Sequence, residues 1–348
     1  MGRGAVETEW GWFVGVATAT LPYLCGIPLD EFYVSRELCA RAFREGRPKV
    51  REMFGPGVTL PAVSCPPLSY GHVACLGAKV LFPRDSEPAV RPICQNLEDA
   101  IAVLETRVEF EENELLKHYV AIYQHLKREF LEEEVKFGGF GWEGPITSAV
   151  LVRGKGFCVD LHTRPERAKV FLELLTESIV SFAHFTRRIN SEPEISQDCA
   201  GLADDFSSLI HPSMWKEFVV PYWNRYYAGL TSGKRNLHCE NLSPEHLGYL
   251  ASAGVSHYDP SVSAKLSPKI IRERIKIPFT WRLPSFELMN MSVGEVKGWV
   301  RRAMEDGAPH VHLYIERSLC EGDNPKKVLA FIEAAKDVAG TSMADGED

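Results

Sequence analysis

The chain has 348 residues, 45% hydrophobic and 25% charged, which excludes a disordered or fibrous protein and leaves room for one large domain or two modest ones. Its formal net charge is −8 and no run of Lys and Arg reaches five residues, so the basic face that nucleic acid requires is missing. Nine cysteines, at 25, 39, 65, 75, 94, 158, 199, 239 and 320, form no CxxC; in a chain of this size they predict buried thiols in a reducing, cytoplasmic compartment.

Residues 11–29 carry no charge, a length near the lower limit for a bilayer span. Pro22, Gly26 and Pro28 interrupt the stretch, and Glu7 and Glu9 precede it where a leader would be basic, so it reads as buried protein rather than a membrane segment. Residues 30–46 read as a helix with Leu38, Ala42 and Phe43 on one face. VTLPAVSC (58–65) and AKVLFP (78–83) read as strands, and 96–134 as two charged amphipathic helices. The glycine-rich stretch from 137 runs into a helix that starts near Pro145.

From residue 195 the pattern becomes regular. Five apolar runs, 195–205, 235–240, 255–259, 278–283 and 310–317, are each followed by an amphipathic run. Strands alternating with helices predict a parallel sheet. Ser243-Pro244, Ser267-Pro268 and Asn324-Pro325 look like caps followed by proline in the first helical turn, and Gly254 and Gly307 like helix stops.

The five runs also end in polar groups: Asp204-Asp205, His238-Cys239-Glu240, Tyr258-Asp259, Arg282 and Glu316. A (β/α)8 barrel presents the carboxyl ends of its strands to the active site. The expected architecture is therefore an α/β TIM barrel over 66–340, with a partly helical extension over 1–65 packed on it and a frayed tail at 341–348. No nucleotide-binding glycine fingerprint is present.

Along a strand, residues i and i+2 share a face. His238 and Glu240 are then expected to point together, with Cys239 turned into the packing. A third ligand is needed for zinc, and Cys320 follows the last strand at the same end. The alternative for His238 and Glu240 is a salt bridge. His310 and His312 alternate on one strand, with His312 a candidate for the substrate pocket. Asp259, before Pro260, reads equally as a turn residue or a ligand.

Residues 204–230, 236–260 and 295–337, together with FGWEGPITSAVLVRG, resemble the uroporphyrinogen decarboxylase superfamily, including its corrinoid-dependent methyltransferases. The resemblance implies the barrel fold and, at the positions of a His-x-Cys pair and a later Cys in the thiol methyltransferases, assigns zinc to His238, Glu240 and Cys320. The glutamate departs from the thiol enzymes. A carboxylate is a harder ligand than thiolate and leaves the metal more drawn to oxygen. That favours O-demethylation: transfer of methyl from a methyl ether to the Co(I) of a corrinoid (cobalamin) on a partner protein.

Asp204 and Asp205 are the candidate catalytic acids, one of them alternatively capping the helix expected from Pro212. Tyr70, Trp142, Tyr258 and Trp281 are candidates to pack a methoxylated ring, and Arg282 to bind a substrate carboxylate or to pair with Glu316. The expected partners are a corrinoid protein and a small methylated substrate, with a homodimer left open. Two alternatives stand beside this: transfer from a methyl-corrinoid to a thiol, and a barrel that binds tetrapyrrole or corrinoid without this chemistry. Uroporphyrinogen decarboxylase itself is disfavoured, since the arginine-rich RQAGRY signature is missing and REGRPKVRE (44–52) lacks its pattern.

Overall fold

A computed structural model describes residues 10–106 and 108–344. It is an α/β structure whose eight strands are β1 (Gly11–Val16), β2 (Val80–Leu81), β3 (Ala89–Val90), β4 (Cys199–Ala203), β5 (Lys234–His238), β6 (His257–Asp259), β7 (Thr280–Arg282) and β8 (His310–Ile315). Two parallel sheets have the orders β4-β5-β6 and β1-β8-β7, and a parallel bridge between Tyr258 and Phe279 links β6 to the start of β7. Further parallel bridges join Gly15 to Thr59 and Leu68 to Phe140, and the Gly144 amide donates to the Ala203 carbonyl at 2.6 Å.

The strands of the second half are each followed by helical segments, including the helices Val220–Leu230, Leu247–Ser252, Pro268–Arg274, Val293–Glu305 and Asn324–Ala344. Alternate strand residues face the helices. Leu237, Tyr258, Val311 and Leu313 are all but fully buried, which is the reason these runs are rich in large apolar side chains.

The first half departs further from expectation. Gly11–Val16, placed in an extension by sequence, pairs with β8 along its whole length, Gly11 opposite His310 and Val16 opposite Ile315. Its Trp, Phe and Val residues supply a sheet strand, which explains the uncharged run without a membrane. No helix among the described residues is long and apolar enough to cross a bilayer. The helix expected over 30–46 is two, Leu29–Val34 and Arg36–Phe54. Ser35 divides them, its hydroxyl accepting from the Leu38 amide at 3.2 Å, and the second continues through Pro48.

The run 58–65 contributes only the bridge at Thr59, while β2 and β3 form a small antiparallel hairpin outside the parallel sheets. The 96–134 region holds the helices Leu97–Glu105 and Glu114–Glu129. Ser267 caps its helix through the Ile270 amide, but Ser243 bonds His246 instead, and its helix starts later, at Leu247. Gly254 and Gly307 have positive φ, 65° and 87°, as helix stops require. The last helix runs on to Ala344, so it covers 341–344 of the expected frayed tail; the rest of that tail and residues 1–9 of the expected extension lie outside the described residues.

Candidate functional site

The parallel strands bring a set of carboxyl groups around one histidine at their carboxyl ends. His238 closes β5 and Asp259 closes β6 directly opposite it. The Asp259 Oδ2 lies 2.8 Å from His238 Nδ1, and the Asp205 Oδ1 lies 3.8 Å from His238 Nε2. Burial pulls the His238 pKa down, but the bond to Asp259 and the charges of Asp259, Asp205 and Glu240 outweigh it, and the net shift is upward. For Asp259 burial works upward and is outweighed by His238, so its carboxyl titrates below the ordinary range. Asp259 also serves its turn: its Oδ1 accepts from the Ser261 amide at 2.9 Å.

Cys239 is fully buried, and its thiol donates to the Asp204 carbonyl at 3.2 Å. Burial holds that thiol well above the ordinary range, so it stays protonated. Glu240 lies beyond the strand, in a turn where Asn241 takes φ 59°. Its amide donates to Asp205 Oδ1 at 2.9 Å, tying the β5 and β4 ends together.

Asp204 and Asp205 are neighbours with opposite environments. Asp204 is completely buried and accepts from four donors: the amides of Ile146 and Thr147, the Ser207 hydroxyl and the Trp223 indole, at 3.3, 2.7, 2.9 and 2.6 Å. It is thus the cap of the helix Pro145–Arg153, supplied from another strand, rather than of a helix at Pro212. The approach is close enough that a Cβ on Gly144 would sit 2.5 Å from Asp204 Cβ. With its lone pairs taken by protein donors, Asp204 is a positioning group and not an acid open to substrate. Asp205 keeps an accessible side chain, and burial raises its pKa.

Glu143 belongs to this set and was not expected. Its carboxyl is pushed up to about 8, first by burial and then by the charges of Asp205 and Asp204. Two signals for it stand in the sequence. It is the only charge between 137 and 152, and it follows Trp142, which alternation turns to the other face. Trp142 packs edge-on against Phe182 and donates through Nε1 to the Tyr226 hydroxyl at 2.9 Å. These contacts tie its indole to the helical layer. Tyr258 is likewise buried and donates to the Cys239 carbonyl, and Trp281 packs partly buried against the core. Burial raises the Tyr70 phenol pKa, and the Glu143 charge adds to the rise.

At the other strand ends the polar groups pair with one another, except for the buried Arg282 Nε, which has no partner among the described residues. Arg282 donates to Glu316 at 2.8 Å and to Ser261 Oγ at 3.2 Å, and its guanidinium lies over Tyr314, 5.4 Å from the ring centroid. The second Glu316 oxygen accepts from Ser285 at 2.6 Å. His312 is buried on β8, and burial drives its pKa down to about 4, leaving it neutral.

The expected zinc set does not assemble. Among the described residues no group of three His, Cys, Asp or Glu side chains is placed to hold a metal. His238 has, in Asp259 at its Nδ1, the carboxylate that metal-ligating histidines usually carry on their other ring nitrogen. However, β5 ends at His238, so the strand alternation that would align Glu240 with it stops there. Cys320 ends a turn over Arg317–Cys320 with its thiol 3.9 Å from the Glu316 carbonyl. Burial pushes that thiol up to about 11.

The uroporphyrinogen decarboxylase (URO-D) family model matches residues 70–338, and the chain belongs to that family. A solved structure, a methyltransferase from Methanosarcina mazei, shares the fold with a TM-score of 0.68 at 18% identity, over 97% of this chain and 95% of that one. A comparison with curated proteins finds no match.

Proposed function

We propose that the chain is a methyltransferase working at the mouth of a (β/α)8 barrel, where it holds a small methyl ether while the methyl group passes to the Co(I) of a corrinoid on a partner protein. The barrel reading is supported by the run of parallel neighbours from Thr59 through β1, β8, β7, β6, β5 and β4 to Gly144, with the Leu68–Phe140 bridge at the far side. The methyltransferase reading is supported by family membership and by the solved relative's description.

One observation carries the direction of transfer. Ether cleavage leaves an alkoxide or phenolate, which needs a proton. Glu143, titrating near 8, is protonated at neutral pH beside Asp205 and His238 and is suited to donate it. Its charge then falls within reach of His238, which Asp259 keeps oriented and favours as a cation. The bond broken is methyl–oxygen, the proton goes from Glu143 to that oxygen, and solvent reprotonates Glu143.

The test is anaerobic mixing with a reduced corrinoid protein and methoxyarenes. Methylation of the corrinoid and equimolar release of the phenol are expected, both failing in Glu143→Gln. Methyl transfer from a preformed methyl-corrinoid to a thiol, with no ether cleaved, would reverse the direction.

A further inference from the structure

Resting on that reading of an ether substrate, we infer that the site is selective by charge: it takes neutral or cationic methyl ethers and rejects those bearing a carboxylate. The charges that act most strongly on Asp205 come from His238, Glu240 and Asp259, and those on Glu143 from Asp205, Asp204 and His238; none is Lys or Arg. His238, the imidazole favoured as a cation, is already matched by Asp259 at 2.8 Å, and the nearby His312 is held neutral by burial. The balance of the set is therefore negative.

Arg282 is the cation at the neighbouring strand end; both of its Nη groups are engaged, and its Nε is buried, without a partner among the described residues and closed to solvent. Glu316 holds one Nη, Ser261 Oγ accepts from the other, and Tyr314 covers a face of the guanidinium. Glu316 is itself fixed by Ser285. An incoming carboxylate gains the planar fork of Arg282 only by displacing a carboxylate already there. It would otherwise lie beside like charges at the partly buried strand ends, where they repel. A neutral arene loses nothing by this, and an ammonium gains.

Calorimetric titration at pH 7 with 2-methoxyphenol, 2-methoxybenzoate and 2-methoxybenzylammonium tests the inference. The benzoate is expected to bind about tenfold more weakly than either of the others, equivalent to about 1.4 kcal/mol, with the gap shrinking at high salt. Glu316→Gln frees the guanidinium and is expected to raise the affinity for benzoate relative to the phenol severalfold. Equal or tighter binding of the benzoate to the unmodified protein overturns the inference. If the three bind in the expected order but none loses its methyl group, the ether reading fails alone. If none binds, both fall.

Discussion

The carboxyl ends of β4, β5 and β6 and those of β7 and β8 carry similar residue types but different balances. On β7 and β8, Arg282, Glu316, Ser261 and Ser285 close a neutral network in which each charge has its counterpart. On β4 to β6, Asp205, Glu240 and Asp259 face one histidine, and Glu143 joins them from the preceding segment. The first arrangement spends its polarity on structure. The second leaves carboxyl groups whose proton affinities are pulled apart, Asp259 down and Glu143 up, and such separation is the usual mark of groups that do acid–base work.

The sharpest break of this comparison is Glu143→Gln. General acids are worth about 10²- to 10⁴-fold, so the ether-cleavage rate is expected to fall about that far while arene affinity is kept. In the unmodified protein the rate should decline above about pH 8 as Glu143 ionises. A decline that persists unchanged in the glutamine variant assigns the proton to another group.

Next come the two adjacent aspartates. Asp204→Asn puts an amide donor among the Thr147 and Ile146 amides, the Ser207 hydroxyl and the Trp223 indole. A loss of about 2–4 kcal/mol in urea unfolding is expected, because buried donors lose their acceptor. Asp205→Asn, on a partly exposed side chain, should cost under about 1 kcal/mol but slow turnover. Equal stability losses in the two would erase the distinction drawn between them.

The His238–Asp259 pair gives a pH signature. The folded His238 pKa is raised, so its contribution is complete below the unfolded value of about 6.5 and is lost as pH rises through the folded value. The folded Asp259 pKa is lowered, so its contribution is present above about 3.9 and is lost as pH falls through the folded value. The stability difference between the unmodified protein and Asp259→Asn should therefore be larger at pH 5.5 than at pH 8.5. Glu143 also makes stability fall with rising pH, since its folded pKa lies above the unfolded one, but it does so in both proteins and cancels in the difference. A difference that grows toward pH 8.5 would contradict the pairing.

The strand–helix rhythm of the second half was legible because each strand is a short apolar run ending in a polar group, and each helix is amphipathic. The first half was harder to read. Gly11–Val16 looks like a buried segment of any kind, and only its pairing with β8 makes it a sheet strand. The 25-residue helix Pro165–Ile189, for which no element was assigned from the sequence, packs Phe171, Leu175, Ile179 and Phe182 at helical spacing and has Pro165 in its first turn. The candidate site was legible by strand position but not by direction. Alternation separates Cys239 from His238, yet it says nothing of where Glu240 turns after the strand ends. Nor does it reveal that Asp204 caps a helix begun some sixty residues earlier, since that depends on strand neighbours distant in sequence.

The smallest expected effect belongs to the balanced side. Arg282 and Glu316 pair at 2.8 Å, but the Glu316 side chain is 41% exposed, so solvent screens much of the attraction. A double-mutant cycle of Arg282→Met and Glu316→Gln should return a coupling of about 1 kcal/mol, measured from urea midpoints. Arg282→Met alone is expected to cost more than Glu316→Gln alone. The methionine variant strips the bond to Ser261 and the contact with Tyr314 as well, whereas glutamine keeps an oxygen for Ser285. A coupling near zero would mean that the two groups are neighbours without being partners. Arg282 would then be open to a substrate carboxylate, and the contrast between the two sets of strand ends would lose its basis.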